Sequence, residues 1–116
     1  MFKSRIYSLS FWFGTLFIAS TWAQAQNNVL LIDTRSPAEY EEGHIQGAVL
    51  IPYDTIEAGV LKLSASKDTP VYLYCGSGRR AEVARERLEY RGYTQVINLG
   101  GMSDAEAFFA PVEEQP

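Results

Sequence analysis

The sequence predicts an α/β domain of three layers: a parallel sheet of four to five strands with helices on both faces. Three observations carry this reading. "NVLLIDTR", "GAVLIP", "VYLYC" and "QVINL" hold short apolar runs without strict alternation, as strands buried on both faces do. Each run is followed by a segment with helical spacing or helix-capping residues, so strand and helix alternate four times, the pattern of βαβ units. The chain has 116 residues, enough for one domain, and shows no internal repeat, low-complexity segment or interdomain linker.

The first 25 residues stand apart. Lys3 and Arg5 make a basic start, Leu9 to Ser20 is an apolar core, and Ala23 to Ala25 is a small-x-small site. That order reads as a secretory signal peptide over residues 1–25, leaving a domain over residues 26–116. The apolar core falls short of the ~18 residues that argue for a spanning helix. A retained signal anchor is the alternative.

The domain's elements follow in order. The first strand lies within Asn28 to Arg35. Ser36, Pro37 and Glu39 form a capping box with proline at the first helical position, and Gly43 ends that helix. Gly47 to Pro52 is a second short strand. Tyr53 to Ser66 is helical in part, with Gly59 weakening the pattern. Val71 to Cys75 is the third strand. Arg79 to Arg91 is a helix with Ala81, Ala84 and Leu88 on one face and Gly92 past its end. Gln95 to Leu99 is the fourth strand, and "GGMSDAEAFF" is a loop running into a last short helix. The polar tail "PVEEQP" is expected to fray.

Composition narrows the function. The formal charge is −4, and losing Lys3 and Arg5 with the leader makes the domain more acidic still. That argues against a nucleic-acid partner. No basic amphipathic stretch remains to hold a membrane surface once the leader is removed. Cys75 is the only cysteine, so no intrachain disulfide can form. In an exported chain an odd cysteine reads as a reactive thiol or an intermolecular bridge; the alternative is a small buried hydrophobe. One cysteine and one histidine make no metal site, and no nucleotide-phosphate loop is present. No cofactor is expected.

The loop "CGSGRR" follows the third strand, at the sheet end where ligands of parallel sheets bind. Gly76 and Gly78 let successive N–H groups converge on one point. The helix N-terminus adds partial positive charge, and Arg79 and Arg80 add full charges. The Cys75 thiol pKa should therefore fall, an anion should be held beside the sulfur, and charge developing there should meet donors already in place. His44 is the only histidine; "GHIQGA" reads as a turn in which its ring satisfies backbone groups, not as a catalytic base. A thiolate without a base suits sulfur transfer or phosphate-ester hydrolysis. A phosphate cradle of the Cys-x5-Arg type needs arginine at its seventh position, where this chain has Ala81. The loop is one residue short, which favours sulfur.

"YCGSGRRA" resembles the active-site loop of single-domain rhodaneses, the thiosulfate sulfurtransferases. "LIDTRSPAEYEEGHIQGAVLIP" resembles their upstream signature and "GYTQVINLGGM" their third, in the family order. With its leader, the chain resembles the exported, phage-shock type of this family. The resemblance implies a rhodanese-like fold, a periplasmic location and a ping-pong reaction. Cys75 would take the outer sulfur of thiosulfate as a persulfide and pass it to cyanide or a thiol acceptor. Gly76, Ser77, Gly78, Arg79 and Arg80 would cradle substrate and persulfide. Asp33 and Arg35 would be structural supports tying the first strand's end to that loop. The alternative within the resemblance is a sulfur carrier that holds a persulfide for a partner protein. Many members have a further strand before the Asp-x-Arg strand; only Gln26 to Asn28 precede it here after cleavage, so four strands are expected. Many also carry a tryptophan after Gly-Gly, where this chain offers Phe108 and Phe109.

Overall fold

Four strands, β1 (Leu30–Asp33), β2 (Val49–Leu50), β3 (Val71–Cys75) and β4 (Val96–Gly101), pair in parallel in the order β2-β1-β3-β4. The computed structural model describes residues 29–110. The leader, its cleavage point and the tail 111–116 lie outside the described residues. The helices are α1 (Pro37–Glu42), α2 (Ile56–Leu63, entered by a 3-10 turn at Tyr53–Thr55), α3 (Arg79–Tyr90) and α4 (Met102–Phe109).

The pleat sorts β3 into two faces. Val71, Leu73 and Cys75 join Ile56 and Val60 of α2 and Ala81, Ala84 and Leu88 of α3 in the larger core. Tyr74 points the other way, into a smaller cluster with Ala48 and Ala105 of α4. The sheet is thus the middle of three layers. Alanines at 81 and 84 keep the first turns of α3 close to the sheet, which sets the helix N-terminus directly beyond the end of β3.

Local signals account for most boundaries. The Ser36–Glu39 box forms as read: Ser36 Oγ accepts the Glu39 N–H, and the Glu39 carboxylate accepts the Ser36 N–H. β4 differs. It runs through Gly101, not stopping at Leu99, because Gly101 pairs with Cys75 across a register shift between Leu73 and Cys75. The glycines therefore belong to the strand end that backs the Cys75 loop. Phe108 and Phe109 do not cover the thiol. They pack on Tyr72, with ring centroids 5.6 and 5.9 Å away, and Tyr72 alternates to the face of β3 opposite Cys75.

Gly59 has a tertiary reason. A Cβ there would meet Ile51 Cγ2 at 2.5 Å and Cδ1 at 2.9 Å, and Ile51 is buried. The β-branched Ile51 has little rotamer freedom with which to yield. Gly59→Ala should therefore destabilise the domain by a net ~1–2 kcal/mol, overpacking outweighing the ~1 kcal/mol helix-propensity gain. Thermal melting checks this; a raised Tm would show that α2 can shift outward freely.

Candidate active site

Cys75 is the last residue of β3 and is fully buried. The chain then turns through exposed Gly76 and Ser77 into Gly78, which adopts φ 92° and caps α3. An L-residue is strained at that φ, and a Cβ would also lie 3.2 Å from Gly100 Cα. The turn aims amides inward: Gly78 N–H donates to Cys75 Sγ at 2.9 Å. Burial pushes the thiol pKa up, but amide hydrogen bonds from Ala81, Ser77, Gly78 and Arg80 outweigh it, and the net shift is downward. The thiolate absorbance near 240 nm should accordingly titrate with a midpoint below the ordinary ~8.5 of a free thiol. The same titration of Cys75→Ser provides the blank, and a midpoint above 8.5 would mean that burial wins.

The two arginines part company. Arg80 crosses to α1, where Nη1 and Nη2 donate to Glu39 at 2.8 and 3.1 Å. That hydrogen bonding, followed by the Ser36 amide, pulls the Glu39 carboxyl down to about 2. Its folded pKa is depressed, so the clamp is complete above the ordinary carboxylate range and is lost only as pH falls toward 2. Glu39 raises the Arg80 pKa first, with the Cys75 thiolate a further, smaller influence. Arg80 is thus held between carboxylate and sulfur. Arg79 is exposed and has no ion pair among the described residues. Beside Arg80 lies a cleft of about 330 Å³ between Thr34–Pro37 and Pro52–Asp54.

Asp33 and Arg35 are buried and form a two-pronged pair, with Arg35 Nη2 2.8 Å and Nε 3.0–3.1 Å from the carboxylate. Arg35 also donates to Gly43 O at 2.6 Å. The pair ties the end of β1 to the turn after α1, and Arg35 also lies over the ring of Tyr74, 5.8 Å from its centroid, one residue before Cys75. Thr34 makes the link toward β3, with both its N–H and its hydroxyl donating to Tyr74 O. His44 stacks on Tyr40 at 3.6 Å, with Nδ1 2.8 Å from Tyr40 O.

Three supports escape a local reading of the sequence. Glu39 holds Arg80 across 41 residues. Asn98 Nδ2 donates to Gly78 O and to Glu82, while its Oδ1 accepts Gly100 N–H. Gly101 passes so close that a Cβ would lie 2.6 Å from Gly76 O, and Asp104 fixes it by accepting its N–H. A polar residue inside "VINLGG" was the available signal for Asn98.

A parallel α/β domain with one thiol in converging amides at a strand's carboxyl end, beside a fixed guanidinium, is an arrangement that can present a thiolate to an anion. The chain belongs to the rhodanese-like domain family, which matches residues 20–107. It is 34% identical over 105 residues to thiosulfate sulfurtransferase PspE of Escherichia coli strain K12, covering 90% of this chain and 92% of that protein. It is also 37% identical over 75 residues to the putative sulfur carrier protein YrkF of Bacillus subtilis, covering 64% of this chain and 40% of that one. Among solved structures, a rhodanese with anions from E. coli superposes with a TM-score of 0.62 at 37% identity, over 65% of this chain and 88% of that one.

Proposed function

We propose that the protein is a thiosulfate sulfurtransferase working through a Cys75 persulfide, exported to the periplasm by its leader. The observation that supports this most is the sulfur itself: a buried thiol whose pKa is lowered by converging amides, one of them 2.9 Å away. The thiolate attacks the outer sulfur of thiosulfate. The S–S bond of the donor breaks and sulfite leaves with the electron pair. The persulfide's terminal charge then lies among the amides of Ser77, Gly78 and Arg80, donors that need no rearrangement. Cyanide or a thiolate attacks the terminal sulfur, and Cys75 departs as the thiolate it began as. No general base is required, in keeping with His44 being engaged by Tyr40. Glu39 occupies Arg80, so Arg79 is the cation that meets the incoming dianion, and the cleft at Thr34 and Tyr53 gives the acceptor room.

A sulfur-carrier reading has one support of its own, the likeness to a protein named as a putative carrier. Turnover separates the two. Intact mass spectrometry of reduced protein after brief exposure to thiosulfate should show a gain of one sulfur atom in the wild type and none in Cys75→Ser, reversed by cyanide. Loading without repeated turnover would favour the carrier. No loading in a folded, reduced protein would remove thiosulfate as donor.

A further inference from the structure

A second cleft, of about 260 Å³, lies between Glu57, Ala58 and Leu61 of α2, Lys67 of the next loop, and Arg91 and Tyr93 just beyond α3. Cys75 precedes the other end of α3, whose 12 residues span ~18 Å at ~1.5 Å each. Sulfur transfer therefore does not use this cleft.

Its two cations, Lys67 and Arg91, form no ion pair among the described residues. The Lys67 ammonium lies over the Tyr93 ring, 4.2 Å from the centroid. The lining carboxylate, Glu57, is taken by Arg87 at 3.0 Å. Tyr93 is only 4% exposed, and its hydroxyl is buried without a hydrogen-bond partner among the described residues. Buried hydroxyls are normally paired. On a chain with net charge −4, this places two cations without an ion pair among the described residues beside an apolar wall.

We infer that this cleft binds a small organic monoanion, a carboxylate on a compact apolar body. The carboxylate sits between Lys67 and Arg91. The body rests on Ala58, Leu61 and the Tyr93 ring. Lys67 swings off that ring on its flexible stem to meet the carboxylate. The volume lies below the ~300 Å³ at which ligand pockets usually begin, which suits a molecule of benzoate's size and excludes a nucleotide. Inorganic phosphate or sulfate would leave the apolar wall in water.

Benzoate titrated into the 15N-labelled chain, followed by amide shifts, tests this. Saturable shifts are expected at Ala58, Leu61, Lys67, Arg91 and Tyr93, with none from neutral benzamide. Lys67→Gln/Arg91→Gln should weaken binding at least about tenfold, the loss of two charge-assisted contacts. The spectra themselves report that the variant is folded. Shifts confined to Gly76–Ala81, no saturation, or unchanged affinity in the double variant would overturn the site.

Discussion

Asp33→Ala is expected to lower the unfolding free energy by about 3–5 kcal/mol, because it leaves a buried guanidinium without its counter-charge. Arg35 is only 9% exposed. Once Asp33 is gone, the hydrogen bond that remains to its guanidinium is the one to Gly43 O. Domains of this size have ~5–15 kcal/mol in total, so the loss is a large share. Asp33→Asn keeps the shape and one acceptor and should fall between. Replacing both partners by apolar residues of similar volume should recover much of the loss, since the pair's own desolvation disappears with it. Urea unfolding measures all three. A loss under ~1 kcal/mol for Asp33→Ala would place the guanidinium effectively in water.

If Cys75 works through the proposed persulfide, Gly101→Ala should slow its formation by about 100-fold or more, since displacements near 1 Å at a reacting centre have that effect. Gly101 itself has φ −83°, a value any residue adopts, so no backbone strain confuses the result. The new methyl meets Gly76 O, a carbonyl of the Cys75 loop, at 2.6 Å. Either strand or loop must move. β4 is held by pairing to β3 and by Asp104, so the loop gives way and its amides lose their aim at the sulfur. Rapid-quench sulfur loading, read by mass, should show the slowed step, with the melting temperature falling far less than in Asp33→Ala. Loading at the wild-type rate would mean that the loop tolerates the shift.

The fold was legible because its signals are local. The capping box at Ser36, the alanine face of α3 and the apolar run into Cys75 each report on neighbours within a few residues. The thiol loop was legible for the same reason, being contiguous from Cys75 to Arg80. What stayed hidden depends on partners far along the chain. Glu39 reads fully as a helix cap, and nothing nearby shows that its carboxylate also restrains Arg80. Gly59 reads as a weak point in a helix until Ile51 is seen against it. The Gly100–Gly101 pair reads as a loop, because the register shift that carries it into the sheet exists only once β3 and β4 are paired. Asp33 and Arg35 were recognisable as a pair, but the turn they secure was not.

The burial of Cys75 has one more consequence. A disulfide needs two sulfurs ~2.05 Å apart with their Cβ atoms ~3.8 Å apart. A second copy of the domain cannot bring its own buried sulfur that close unless the residues covering both move. Burial therefore opposes dimerisation through the thiol. A small reagent needs little room, whereas dimerisation through the thiol would require both domains to open together. A lone cysteine is in this way kept from pairing with its counterpart in a second copy.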